Sequence, residues 1–75
     1  MKAYIMIRIA SGQITEVIKE MRKNKFVQEA YMTFGPYDAV AKVEAANIKE
    51  LGLVISDQIQ PIPGILETLT CLAVD

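Results

Sequence analysis

Histidine and tryptophan are missing from this 75-residue sequence, and there is a single cysteine, Cys71. One thiol cannot form an intramolecular disulfide, which removes the stapled scaffold of small secreted domains. Without histidine, the residue types and spacings of a zinc site are missing too, and no cofactor is expected. The same lack weighs against acid–base catalysis near neutral pH, where histidine is the usual base, and against Ser/His or Cys/His nucleophile pairs. No apolar run approaches the roughly 18 residues of a membrane span. The N-terminus opens on a strand-like segment rather than a secretory pattern. The cytoplasm is therefore the expected compartment. Charge of one sign is lacking as well: eight basic and nine acidic residues leave a net charge of −1. That is not the basic footprint of a nucleic-acid-binding domain. The one local excess, Lys19, Arg22, Lys23 and Lys25, reads first as a solvated helix end complementing the helix dipole. A phosphate or an acidic partner is its other use.

What is abundant is apolar surface. Fifty-two per cent of the residues are hydrophobic, yet a chain of this length buries only about 60% of what its unfolded form exposes. Part of that area is expected to lie against another subunit, in a homo-oligomer of single-domain chains spanning 1–75.

Alternation and period divide the chain. Ala3 to Ile9 alternates as a strand, with Ile5, Ile7 and Ile9 on one side and Tyr4, Met6 and Arg8 on the other. Ser11-Gly12 breaks it, and Ser11 is a candidate cap. From Gln13 to about Lys23, Ile14, Val17, Ile18 and Met21 form one helical stripe, and Asn24 is a plausible stop. Val27 to Phe34 is a second strand, with Ala30, Met32 and Phe34 on one side and Glu29, Tyr31 and Thr33 on the other. Gly35-Pro36-Tyr37-Asp38 has hairpin-turn chemistry, and Ala39 to Glu44 is the third strand. Asn47 followed by Glu50 has capping spacing, predicting a helix from Ile48 to about Gln60. Its stripe is Ile48, Leu51, Val54, Ile55 and Ile59. Gly52 inside it suggests close approach of a neighbouring backbone. Pro61 and Pro63 end it. Ile65 to Val74 is the last strand, with Ile65, Glu67, Leu69, Cys71 and Ala73 on one side and Leu66, Thr68, Thr70, Leu72 and Val74 on the other.

The order βαββαβ predicts a ferredoxin-like α+β fold: a four-stranded antiparallel sheet with both helices on one face. Ile5, Ile7, Ile9, Met32, Phe34, Ala41, Val43, Leu69 and Cys71 are expected to face the helices. The open face would then show Tyr4, Met6, Arg8, Tyr31, Thr33, Val40, Lys42, Thr68, Thr70 and Leu72. It is too apolar to stay wet. Stacking against a two-fold copy, in a dimeric α+β sandwich, places Tyr4, Met6, Tyr31, Val40 and Leu72 at the dimer interface.

This fold order alone says little about function. The local motifs narrow it. Ile9-Ala10-Ser11-Gly12, Val27-Gln28-Glu29-Ala30-Tyr31, Gly35-Pro36-Tyr37-Asp38 and Ile62-Pro63-Gly64-Ile65 with Thr68 and Thr70 occur in one order along the chain. Together they resemble the effector-binding (RAM) domain of the leucine-responsive and asparagine-responsive (Lrp/AsnC) transcription regulators. The family's marks are a glycine–any–tyrosine–aspartate turn and a proline–glycine–hydrophobic lead-in to the last strand. The resemblance covers essentially the whole chain. It implies a stand-alone member without the family's helix-turn-helix domain, hence no direct nucleic-acid contact. It further implies dimers through the sheet faces, a higher closed ring of dimers, and a small effector, usually an amino acid, bound between dimers. Full-length regulators of the family are possible further partners. Pro36 departs from the charged or polar residue usual there and lacks an N–H to offer.

An amino acid carries an ammonium and a carboxylate on one carbon. Asp38 can accept from the first. The Gly35 backbone can come close to a ligand, Tyr37 can wall the pocket, and Thr68 and Thr70 can offer hydroxyls if the oligomer brings them to the turn. The plainer reading makes Gly35–Asp38 a structural hairpin whose aspartate bonds its own turn. It makes the threonines ordinary sheet residues and Cys71 a small buried apolar one. Two other functions stand beside the sensor. One is a structural subunit that mixes with full-length regulators and binds no ligand. The other is a small cofactor-free α+β-barrel enzyme, disfavoured by the missing histidine. An RNA platform built on Tyr4 and Tyr31 lacks the aromatics that such a module needs on its third strand.

Overall fold

The computed structural model describes residues 1–75. The strands are β1 (Lys2–Ile9), β2 (Val27–Met32), β3 (Ala39–Glu44) and β4 (Ile65–Leu72); the helices are α1 (Ile14–Arg22) and α2 (Ile48–Val54), and α2 runs on into a π-helical turn, Ile55–Ile59. The four strands form one antiparallel sheet in the order β2-β3-β1-β4. This is the ferredoxin-like arrangement expected from the element order.

The core lies between the helices and one face of the sheet. Ala3, Ile5, Ile7 and Ile9 of β1, Ala39, Ala41 and Val43 of β3, Val17, Ile18 and Met21 of α1, and Leu51, Val54 and Ile59 of α2 and its π turn belong to one buried cluster. Ile5 and Ile7 are fully buried at the middle of the sheet. Each stabilises the fold by roughly 1.5–3 kcal/mol relative to an exposed position.

Local chemistry sets the element ends. Asn47 Oδ1 accepts from the Glu50 N–H at 2.8 Å, and Glu50 Oε1 accepts from the Ala46 N–H at 2.7 Å. This is the reciprocal cap the spacing predicts, displaced backwards by one residue. Past Val54 the turn widens: the Gln60 N–H donates to the Ile55 carbonyl at 2.8 Å, an i to i+5 bond. The widening brings Ile59 into the core five residues after Val54, while Ile48 at the other end of the stripe stays exposed. Ser11 does not cap α1. Gln13 holds the N-cap position and its side chain makes no capping bond. Gly52 has nothing near it, so it admits no close neighbour within the chain. Gly64, at φ +104°, is the tight glycine: a β-carbon there would lie 3.0 Å from Val17 Cγ2 on α1. That clearance lets the proline–glycine lead-in to β4 press against the first helix.

Two bulges correct the expected strand faces. In β4 the register shifts between Arg8 and Ile9, whose partners are Glu67 and Ile65. Leu66 is the extra residue, and it reverses the alternation beyond it. Thr68, Thr70 and Leu72 pair with Ile7, Ile5 and Ala3 and so share the helix face, while Glu67, Leu69 and Cys71 pair with Arg8, Met6 and Tyr4 on the open face. Leu69 and Cys71 therefore do not face the helices, and Cys71 is exposed rather than buried. Leu72 leaves the expected interface set. A similar shift at Gln28 lets both Val27 and Ala30 point inward from β2. Phe34 lies beyond the end of β2 and is 99% exposed, not part of the core, and Met32 shares the inner face but is exposed at the sheet edge.

Candidate ligand site and open sheet face

Strand register places the open-face residues in rows. The middle row runs Leu69, Met6, Val40, Tyr31 across all four strands, apolar from edge to edge. Leu69 and Tyr31 at its ends are 48% and 52% exposed. The next row runs Cys71, Tyr4, Lys42, Glu29. There Glu29 accepts from the Tyr31 hydroxyl at 2.6 Å and lies 3.8 Å from Lys42 Nζ. The Tyr31 phenol is held above its usual pKa chiefly by that hydrogen bond, then by the Glu29 charge, with burial adding to both and Arg22 opposing. Of the expected interface residues, Tyr4, Met6, Tyr31 and Val40 thus share one surface.

The row on the other side of the apolar stripe is Glu67 and Arg8, and it borders the Gly35–Asp38 turn. Arg8 Nε donates to Glu67 Oε1 at 2.8 Å, and the guanidinium carbon lies 5.6 Å from the centre of the Tyr37 ring. Tyr37 is half-buried, and its carbonyl accepts from Thr33 Oγ1 at 2.9 Å. Open space surrounds Gly35, whose φ of +152° suits glycine.

Asp38 has a structural task. Its Oδ2 accepts from the Ile9 N–H at 2.7 Å, and its own N–H donates to the Ile7 carbonyl. The carboxylate thereby occupies a backbone donor at the end of β1, beyond the last β1–β3 pair, Ile7 with Ala39. The plainer reading of this aspartate assigned it to its own turn; the structure assigns it to the neighbouring strand. One carboxylate oxygen is left over.

The five expected ligand residues do not all meet within one chain. Gly35, Tyr37 and Asp38 come together at the rim of the open face. Thr68 and Thr70 lie on the opposite side of the sheet, and Thr68 Oγ1 accepts from Gln60 Nε2 at 2.9 Å. Two charged residues beside the turn, Arg8 and Glu67, were absent from the expected set. The signal for Arg8 was present in its place on the open side of β1. Glu67 was hidden by the Leu66 bulge.

A separate hollow of about 470 Å³ lies between α1 and the segment before β4, lined by Gln13, Glu16, Glu20 and Gln58 among others. It offers two carboxylates and no cation, so it suits an amino acid's carboxylate poorly. No group of three or more histidine, cysteine, aspartate or glutamate residues is placed to hold a metal ion. No helix is long and apolar enough to cross a membrane.

Residues 2–75 match the family model of the Lrp/AsnC ligand binding domain. The HTH-type transcriptional regulator FL11 of Pyrococcus abyssi is 36% identical over 72 residues, which are 96% of this chain and 47% of that protein. The chain thus spans about half the length of the curated relatives it matches. Among solved structures, a hypothetical protein from Pyrococcus horikoshii superposes with a TM-score of 0.92 at 34% identity, covering 97% of this chain and 88% of the other. Escherichia coli AsnC superposes with a TM-score of 0.94 at 28% identity, covering 99% of this chain and 50% of that one. The curated relative is a transcriptional regulator, not an enzyme.

Proposed function

The chain belongs to the Lrp/AsnC ligand-binding domain family, and from that premise we propose that it is an effector-sensing and oligomerisation module that binds an amino acid or a related small metabolite and modulates transcription indirectly. One observation carries this reading: a glycine–proline–tyrosine–aspartate turn stands open at the rim of an apolar sheet face. The face supplies a surface for a two-fold copy, with Tyr4, Met6, Tyr31 and Val40 in the seam. The turn, outside that seam, supplies Gly35, Tyr37 and the free oxygen of Asp38 to a ligand held between dimers. Thr68 and Thr70 contribute only from another subunit, since in their own chain they face the helices. A ligand can shift such an assembly only through different affinities for its states. The cytoplasm is the compartment in which such a module works.

Thermal melts and light scattering against the standard L-amino acids at millimolar concentration test the reading. At ten times its dissociation constant a specific ligand stabilises the fold by about 1.4 kcal/mol, which raises the melting temperature by roughly 5–10 °C in a domain of this size. A flat response across the whole panel would sink the sensor.

A second reading has the likeness to an HTH-type transcriptional regulator in its favour. A chain sharing the effector-domain fold of such regulators can join their assemblies and dilute their DNA-binding arms without binding a ligand. It predicts co-purification with a full-length regulator and no change on adding amino acids. On either reading the protein alone leaves duplex DNA unshifted in a gel.

A further inference from the structure

We propose that Arg8 and Glu67, backed by the Tyr37 ring, are the receptor for the two charges of an α-amino acid, the guanidinium taking its carboxylate and Glu67 its ammonium. The proposal rests on the sensing reading above and says which groups of this chain recognise the ligand.

The groups first expected to do this offer less within one chain, where Asp38 has a single oxygen left over. Asp38 spends an oxygen on the Ile9 N–H, and the threonines lie on the other side of the sheet. Arg8 and Glu67 stand as direct partners across β1 and β4, with the turn's Tyr37 against the guanidinium. Their side chains are 51% and 56% exposed. Only Arg8 Nε and Glu67 Oε1 are joined. The terminal guanidinium nitrogens and Glu67 Oε2 bond to nothing else in the chain. The free edge of a guanidinium matches a carboxylate with two parallel N–H donors. The free carboxylate oxygen beside it accepts from an ammonium. A zwitterion offers its two charges at the same short separation as this pair, so one molecule satisfies both. The open space beside Gly35 leaves room for an approach to this corner.

The Leu66 bulge is the device that makes the pair. In a regular strand, with Leu66 opposite Arg8, Glu67 would share the face of Ile65 and point at the helices. With Leu66 bulged out of the register, the carboxylate comes onto the open face opposite Arg8. Bulges recur where a side chain must be re-aimed next to a site.

Calorimetry on the full chain tests this. Wild type, Arg8→Gln, Arg8→Lys and Glu67→Gln are each titrated with the standard L-amino acids, then with the amide and the N-acetyl derivative of the tightest one. An exposed ion pair contributes little to folding, so circular-dichroism melts of the variants should match wild type. The expected result is binding weakened about tenfold or more in Arg8→Gln and in Glu67→Gln. Arg8→Lys should fall between, because it keeps the charge and loses the fork. The amide and the N-acetyl derivative should both bind poorly to wild type. Wild-type affinity retained in Arg8→Gln or Glu67→Gln overturns the proposal and leaves the sensing reading standing. Equal binding of the N-acetyl derivative also overturns it, because no ammonium would then be recognised. If wild type itself binds no amino acid, the sensing reading falls first and this proposal with it.

Discussion

The Tyr31 hydroxyl and the Glu29 carboxylate meet at 2.6 Å on the open face, two residues apart on one strand. A phenol that donates to a carboxylate loses its proton less readily, and the negative charge beside it adds to the effect. The Tyr31 pKa in the folded chain therefore lies above its ordinary value of 10.0. A pKa raised by folding stabilises the fold fully below the unfolded value, and the contribution is lost as pH rises through the folded one. The phenol's contribution is thus insensitive to pH across the neutral range and is lost in alkali. Replacement of Glu29 by Gln should lower the Tyr31 midpoint, as followed by NMR of ring-labelled tyrosine. An unchanged midpoint would mean that Glu29 is not the cause. The bond itself was not legible in advance. Alternation put Glu29 and Tyr31 on one face, but only the rotamers decided that they touch.

Helix α2 shows at the scale of an element which signals a sequence carries reliably. A cap is a contact between near neighbours, so Asn47 and Glu50 announced it from their spacing alone. Removing the Asn47 acceptor by Asn47→Ala should cost about 1 kcal/mol, measured by urea denaturation, with the midpoint falling and the slope preserved. A loss near zero would show that water caps this helix equally well. Register carries no such local mark. Leu66 is one residue among alternating neighbours, yet counting it into the strand put Thr68, Thr70 and Leu72 on the wrong face. Ile9 and Ile65 form a pair on the inner face, and the tight Gly64 bend before them packs on Val17. With Ile65 held inward, the added residue turns Glu67 outward. Phe34 failed for another reason: alternation was extended past the residue where hydrogen bonding to β3 stops.

Taken as a whole, the molecule has one side closed by helices and one side left with the row Leu69, Met6, Val40, Tyr31. A charge set into that row tests whether the side is a seam. Val40 is half-buried on the central strand β3 and faces away from the core. Val40→Glu should leave the circular-dichroism spectrum of the fold intact and shift sedimentation from dimer or larger species to monomer. Continued assembly at wild-type strength would place the seam elsewhere. The sequence by itself determined the order of the elements, the α+β class, the β1, β3 and helix faces of the core, and the turn that marks the family. Each of those depends on residues close together along the chain, where period, capping and turn chemistry act. The tertiary structure alone decided which side of the last strand meets the helices, that Asp38 serves the end of β1, and that Arg8 and Glu67 stand together beside Tyr37. Those outcomes depend on contacts between residues 29 and 59 positions apart along the chain, and in the last strand one bulged residue reverses every side chain beyond it.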